Sequence, residues 1–165
     1  MEESFALRVQ QAQALALENA LLACNAHTER WGLALSAGEI AGLVAARRVV
    51  LQDTGRVEPG AGVLPRIIDA FCDSPYLART TYADTLGALQ DLFYAFKNDT
   101  EDSLTDEELI DAMAAIFNGR AQGSLEYLEN LTPGDLWRTV QNPNALKDDL
   151  LPVTSDDAEE GWPDD

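Results

Sequence analysis

Residues 82–98 of the chain read YADTLGALQDLFYAFKN. Large apolar residues recur here at alternating steps of four and three, the spacing that places side chains on one face of an α-helix. This face carries the densest group of aromatic residues in the chain, so we expect the segment to form the central helix against which the others pack. Its members are Tyr82, Leu86, Leu89, Phe93 and Phe96.

The segments that precede this helix also follow helical patterns. Residues 5–25 are rich in Ala, Leu and Gln, which favour helices. Ser36 stands three residues before Glu39, which is the spacing of a capping box at a helix start. We expect the helix that follows to turn Arg47 and Arg48 toward solvent. The apolar face of the first helix is predicted to consist of Leu7, Ala14, Leu17, Leu21 and Cys24.

Glycine and proline mark the boundaries between the middle segments. The glycines and Pro59 of residues 55–62 predict a loop inside one domain. Residues 63–72 then predict a short helix, with apolar residues at helical spacing. Ser74 followed by Pro75 predicts an N-cap and the first position of the next helix.

The remaining pattern is helical as well. Thr105 and Glu108 repeat the capping-box spacing at the start of another helix, and residues 124–130 and 132–141 predict two short ones. Because no run of alternating β-branched residues competes with these segments, we predict an all-α fold. Its expected architecture is a compact orthogonal or irregular bundle of about six or seven helices.

Charge is unevenly distributed along the chain. The 165 residues include 29 acidic and 11 basic side chains, for a formal net charge of −18. From Asp148 onward every charged residue is acidic. We therefore expect a single helical domain over residues 1–141 and an acidic, disordered tail over residues 142–165. So acidic a surface argues against nucleic-acid backbones and anionic membranes as partners.

The N-terminus and the cysteines predict a cytoplasmic protein. The opening residues are acidic, whereas a secretory signal begins with a basic region. Apolar runs end well short of the roughly 20 residues that a membrane span requires. Cys24 and Cys72 are too few for a disulfide scaffold, so we expect both thiols to be reduced.

Polar residues gather between the short helix and the central one. Two carboxylates placed together can perform acid–base chemistry when burial separates their pKa values. Helix capping and surface ion pairs account for the same residues equally simply. No catalytic residue is assigned, and the candidate pocket consists of Arg66, Asp69, Cys72, Asp73, Tyr76 and Arg79.

No metal-binding pattern is complete in the chain. Cys24 and His27 are spaced to meet at a helix end, but a zinc site requires more ligands of this kind. A calcium loop that started at Asp99 would place Leu104 at the glycine position and Ile110 at the position of the bidentate glutamate. We expect no metal and no cofactor.

One aromatic residue stands out in the acidic tail. Disordered segments are poor in large aromatic residues, yet Trp162 lies among acidic neighbours in the sequence EEGWPDD. An aromatic anchor of this kind is typical of a short motif that docks into a groove. Trp162 is therefore a candidate tail motif, and a chance occurrence remains the alternative.

Several segments share their residue pattern with known sequences. They are GRVE (55–58), AFCDSPYL (70–77), YADTL (82–86), QDLFYAFKN (90–98), DEELI (106–110) and QGSL (122–125). On these segments the chain resembles an uncharacterised bacterial family of small all-helical proteins. The resemblance covers roughly residues 24–137 and implies a bacterial origin. It implies no catalytic residue, because the family is a domain of unknown function.

These observations lead to one leading hypothesis about function. The acidic surface and the lack of a catalytic signature favour a non-enzymatic interaction or adaptor protein that binds a basic or amphipathic protein partner. One alternative is a small-molecule-binding or enzymatic helical bundle that uses the candidate pocket. A weaker alternative is a nucleic-acid mimic, whose carboxylates would be spaced like duplex phosphates. The pattern leaves the oligomeric state open.

Overall fold

The chain folds into a bundle of α-helices. The computed structural model describes residues 2–142, with side chains from residue 5, and that part contains seven α-helices, two short 3₁₀ turns and no strand. The predicted all-α class and the number of helices are thereby confirmed. The helices are α1 (Glu2–Thr28), α2 (Ala37–Thr54), α3 (Leu64–Phe71), α4 (Tyr82–Asp99), α5 (Asp106–Asn118), α6 (Leu125–Glu129) and α7 (Pro133–Gln141).

Helix α4 lies at the centre of the bundle, as its sequence predicts. It contacts α2, α3, α5 and α6. Its apolar stripe is buried from Tyr82 to Phe96, and the ring of Phe93 packs edge-on against that of Tyr94. The spacing of large apolar residues on one face therefore determines which helix the others surround.

The predicted capping boxes are formed. The Ser36 hydroxyl accepts a hydrogen bond from the Glu39 N–H, and the Glu39 carboxylate accepts one from the Ser36 N–H. Thr105 with Glu108 makes the same pair of bonds at the start of α5. Because these bonds join residues only three apart, the local sequence suffices to predict them.

The start of α4 is different from the prediction. Ser74 and Pro75 lie in a turn, and α4 begins only at Tyr82, after a 3₁₀ turn at Arg79–Thr81. The Ser74 hydroxyl does accept a bond from a backbone N–H, that of Tyr76. That bond closes a local turn, an alternative that serine offers to the backbone in competition with helix capping.

Helix α1 is anchored to the body through its second half. Leu17 and Leu21 are fully buried, but Leu7, which was expected on the same apolar face, is exposed. Within residues 2–142 no helix is long and apolar enough to cross a lipid bilayer. The acidic tail and Trp162 lie outside the described residues.

Candidate functional site

Helix α3 turns its polar residues outward because its apolar residues occupy one stripe. The buried side chains of this helix are Leu64, Ile67, Ile68 and Phe71. Arg66 and Asp69 fall between these positions and are exposed. The short helix therefore presents a guanidinium and a carboxylate on the surface, one turn apart.

An open groove of about 310 Å³ runs between α3 and α5, and we call it the α3–α5 groove. Its apolar part is made by Ala70 and by Ile110, which is buried. Three carboxylates and one guanidinium provide its polar part, so the formal charge of the lining is negative. The lining residues are Arg66, Asp69, Ala70, Glu107, Ile110 and Asp111.

The one basic residue of the α3–α5 groove is held at its edge by an ion-pair chain. Nη2 of Arg66 lies 3.2 Å from Oδ2 of Asp106. The other oxygen of Asp106 lies 2.9 Å from Nζ of Lys97, which also donates to the Leu104 carbonyl at 2.8 Å. Arg66 is thus paired with Asp106 at the surface, and the groove lining has three exposed carboxylates against this one guanidinium.

The remaining residues of the candidate pocket lie elsewhere. Cys72 is buried, and its thiol donates to the Asp69 carbonyl at a sulfur–oxygen distance of 3.6 Å. The ring of Tyr76 packs edge-on against Phe117, with the ring centroids 6.3 Å apart. Asp73 is exposed at the end of α3, in a turn.

Arg79 is also exposed and lies in the 3₁₀ turn before α4. Of the six residues that the sequence suggested, the groove lining includes Arg66 and Asp69. The acidic character of the groove also depends on Glu107 and Asp111 of α5, which the sequence pattern did not indicate as site residues. Residues about 40 positions apart meet there because α3 and α5 pack side by side.

Both cysteines are poor nucleophiles in this environment. Burial, together with the nearby Asp69 carboxylate and the Cys72 thiol, raises the pKa of Cys24 to about 11. Burial and the charge of Asp73 likewise raise the pKa of Cys72. Because the thiolate is the reactive form, both groups are protonated and inert at neutral pH.

His27 takes part in an exposed cluster at the end of α1. Its ring lies edge-on to that of Trp31, with 5.6 Å between the centroids. The Arg30 guanidinium lies 4.7 Å from the centroid of the Trp31 ring and within 3.3 Å of Nδ1 of His27. These contacts are those of a surface cation–π cluster.

A buried polar cluster, which we call the Arg47 cluster, was not foreseen. Nε of Arg47 donates to a Glu58 carboxylate oxygen at 3.0 Å, and Nη2 donates to the Glu58 carbonyl at 3.1 Å. The Tyr94 hydroxyl donates to the same carboxylate oxygen. Burial and the neighbouring Glu58 raise the pKa of Tyr94, which keeps the phenol protonated.

The expectation that Arg47 faces solvent is wrong. Ile40, Leu43, Arg47 and Val50 are the buried residues of α2, and they follow one another at steps of three, four and three. The sequence therefore contained the signal, since the arginine occupies a position of the apolar stripe. Arg48, one residue further on, is exposed as expected.

The Arg47 cluster holds the loop between α2 and α3 against the body. Gln13 of α1 also donates to the Glu58 carbonyl, at 2.8 Å. A Cβ atom at Gly62 would lie 2.0 Å from a Glu58 carboxylate oxygen, and the φ of Gly62 is +73°. A side chain at this position would strain the backbone and displace the Glu58 carboxylate. The predicted loop is thus confirmed, and hydrogen bonds from α1, α2 and α4 hold it in place.

Other polar features have structural explanations. The carboxylate of Asp102 hydrogen-bonds to Arg56, which lowers the pKa of Asp102. Within the described residues no group of three His, Cys, Asp or Glu side chains is arranged to hold a metal ion. A second hollow, between α6 and α7, is lined by Ser124 and Asp135, and both of these side chains cap helices. The fully buried amide of Gln90 is an exception, since no described residue forms a hydrogen bond with it.

Comparison with known proteins provides a family and no activity. No curated protein and no solved structure matches the chain. Residues 20–145, most of the chain, match the model of a family described as a family of unknown function, DUF6323. This match agrees with the resemblance to an uncharacterised helical family. The chain therefore belongs to the DUF6323 family, whose function is unknown.

Proposed function

We propose that the protein is a non-enzymatic binding module whose α3–α5 groove takes a basic, amphipathic segment of a protein partner. The observation that carries the proposal is the composition of the groove. The groove is lined by the carboxylates of Asp69, Glu107 and Asp111 and by the apolar side chains of Ala70 and Ile110. A segment that combines basic and apolar side chains complements such a surface in both charge and hydrophobicity.

The distribution of basic residues strengthens the charge of this surface. Arg47, Arg56, Lys97 and Arg138 all form ion pairs with carboxylates of the same chain. Each of these ion pairs holds a basic side chain beside a carboxylate of the same chain. A basic partner is therefore attracted by the acidic residues that remain exposed, and the attraction falls with ionic strength.

The shape of the groove favours a protein partner over a small molecule. Ligand pockets enclose most of a small ligand's surface, whereas this groove is partly open to solvent. The two thiols are protonated and do not supply a nucleophile. A cytosolic location suits the proposal, because both cysteines are free and the cytosol keeps thiols reduced.

A binding experiment with a defined peptide tests the proposal. The probe is a synthetic amphipathic helix of lysine and leucine, titrated into the isotopically labelled full-length protein. We expect amide chemical shifts to change mainly in α3 and α5. Replacing three exposed carboxylates (Asp69→Asn, Glu107→Gln and Asp111→Asn) should weaken binding about tenfold, since each exposed charge pair contributes roughly 0.5 kcal/mol.

A matched variant separates the groove from the general acidity of the protein. Glu29→Gln, Asp53→Asn and Glu129→Gln remove the same charge from exposed positions outside the groove. This variant should bind within about twofold of the unmodified protein, since distant exposed charges are largely screened. Equal weakening by both triple variants, or shift changes spread over the whole acidic surface, would refute the groove as the binding site.

A further inference from the structure

Helix α1 carries apolar residues on the side that faces away from the core. Phe5, Leu15 and Leu22 are 70%, 55% and 54% exposed, while Leu17 and Leu21 are fully buried. All residues from 5 to 12 are exposed, so the first half of the helix extends beyond the body. A helix that is apolar all round is normally buried on more than one side. The projecting part, residues 5–12, is also shorter than the roughly 12–15 residues below which an isolated helix is only marginally stable in water.

The outward positions of α1 follow a seven-residue repeat that is mostly apolar, and we call this set of positions the α1 seam. Its positions are separated by alternating steps of three and four, the spacing of residues that meet in a two-stranded coiled coil. Every member of the α1 seam is exposed. The members are Phe5, Arg8, Ala12, Leu15, Asn19, Leu22 and Ala26.

We propose that the α1 seam pairs antiparallel with the α1 seam of a second copy of this chain. When the two helices are aligned about the point between Ala12 and Leu15, each of the six seam positions from Phe5 to Leu22 meets a compatible residue. Two large apolar residues meet at each end of the paired segment, and a small residue meets a large one in the middle. The two polar residues face each other between these contacts. The pairs are Phe5 with Leu22, Arg8 with Asn19, and Ala12 with Leu15.

Polar residues within a seam specify the orientation. A parallel pair in register would place Arg8 against Arg8 and Asn19 against Asn19. The antiparallel pair instead lets the Arg8 guanidinium donate to the Asn19 amide oxygen, with Glu18 as the adjacent carboxylate. A polar residue in an otherwise apolar seam is known to select register in this way.

The charge of the molecule also favours this surface for self-association. Two copies that each carry a formal charge of −18 repel one another over most of their surface. Residues 5–17 contain a single charged residue, and it is the basic Arg8. The α1 seam therefore allows two copies to approach where the electrostatic cost is small.

The α1 seam is sterically open to a second copy. Each residue turns the helix by about 100°, so the seam lies opposite Leu17 and Leu21, which anchor α1 to the body. Residues 5–26 form about 33 Å of helix at 1.5 Å per residue. A paired helix of that length buries a small interface, so we expect reversible dimers in the micromolar range.

Sedimentation equilibrium of the full-length protein tests the pairing. We expect an average mass that rises from 18.0 kDa toward twice that value as concentration increases. Leu15→Gln with Leu22→Gln should raise the dissociation constant at least about tenfold, because both apolar contacts of the seam are lost. Leu7→Gln with Val49→Gln is the matched control, since these leucine and valine side chains are 53% and 55% exposed outside the seam.

A charge reversal tests the register and does not depend on apolar residues. Arg8→Glu should weaken the dimer, because the new carboxylate lies beside Glu18 of the second copy. Adding Glu18→Arg should restore it. Residues 8 and 18 are ten positions apart in one helix and are not neighbours there, so rescue requires contact between copies. Circular dichroism confirms that each variant is folded.

Any of four outcomes would overturn the proposal. The protein could remain monomeric at all concentrations, or the seam and control variants could dimerise equally well. Removal of residues 143–165 could also convert a monomer into a dimer, in which case the chain's own tail occupies the seam. Failure of the charge-reversal rescue would reject the antiparallel register. None of these results bears on the α3–α5 groove, which is a different surface.

Discussion

At the residue scale, Arg47 shows how a charged side chain can serve as part of a helical core. Its side chain is only 5% exposed. Nε and Nη2 donate to the carboxylate and carbonyl of Glu58, which also accepts from Tyr94. An arginine suits this position because its planar group provides several donors in fixed directions. Nη1 also donates to the Gln13 carbonyl at 3.5 Å, so each of the three guanidinium nitrogens has a partner that offsets the cost of burying the charge.

The neighbouring arginines provide a stability test. We expect Arg47→Met to lower the free energy of unfolding by about 3–5 kcal/mol, because Glu58 would become a buried carboxylate without its counterion. Arg48→Met removes the same charge from an exposed position and should change it by less than about 0.5 kcal/mol. Urea unfolding followed by circular dichroism measures both. Similar losses in the two variants would contradict the role of the Arg47 cluster.

At the scale of one element, α5 illustrates how local sequence specifies a helix. The Thr105 hydroxyl accepts a hydrogen bond from the Glu108 N–H at 3.1 Å, and the Glu108 carboxylate accepts one from the Thr105 N–H at 2.9 Å. The first turn also carries Asp106 and Glu107, whose charges favour the positive end of the helix dipole. Residues Glu107, Ile110 and Asp111 of the same helix line the α3–α5 groove. The cap therefore positions one wall of the proposed binding surface.

Removing the capping hydroxyl should destabilise the protein measurably. Thr105→Ala is expected to lower the free energy of unfolding by about 1 kcal/mol, since a backbone N–H of α5 loses its acceptor. Thr105→Ser retains the hydroxyl and should be close to neutral. Ser103→Ala removes an exposed hydroxyl two residues earlier and should cost less than about 0.5 kcal/mol. If Thr105→Ala and Ser103→Ala lowered the free energy of unfolding equally in thermal or urea unfolding, the capping hydrogen bond would contribute nothing to stability.

At the scale of the whole molecule, charge opposes folding. The chain has 29 acidic and 11 basic residues, and folding brings the excess carboxylates closer together. Local ion pairs offset part of this repulsion. Arg56 with Asp102 joins the loop before α3 to the loop between α4 and α5, and Lys97 with Asp106 joins α4 to α5. The chain has 18 more acidic than basic side chains, which is more than the number of these ion pairs.

Salt should therefore stabilise the protein. Between about 10 mM and about 1 M sodium chloride the Debye length falls from roughly 30 Å to roughly 3 Å, which screens the repulsion among exposed carboxylates. We expect Tm at pH 7 to rise over this range in scanning calorimetry. Near pH 4.1, the calculated isoelectric point, the net charge is small and the rise should shrink. A Tm that falls with salt at pH 7 would mean that the ion pairs outweigh the repulsion.

Much of the fold follows from short-range features of the chain. Capping boxes at Ser36 and Thr105 join residues three positions apart, and the stripe from Tyr82 to Phe96 needs only the helical period. The prediction that Ser74 caps a helix failed, because a serine before a proline can close a turn as readily as it can cap a helix. The sequence alone offers no way to rank these two local structures. The contacts of Ser74 and Tyr76 in the bundle select the turn.

The sequence by itself determined the helical segments, the capping boxes at Ser36 and Thr105 and the central position of α4, because each depends on residues within a few turns of one another. Only the tertiary structure decided that Arg47 meets Glu58 and Tyr94, and that Asp69 of α3 joins Glu107 and Asp111 of α5 in one groove. These residues are far apart along the chain, and periodicity carries no information about which helices become neighbours. Packing of the apolar stripes chooses those neighbours, and the polar residues are brought together as a consequence.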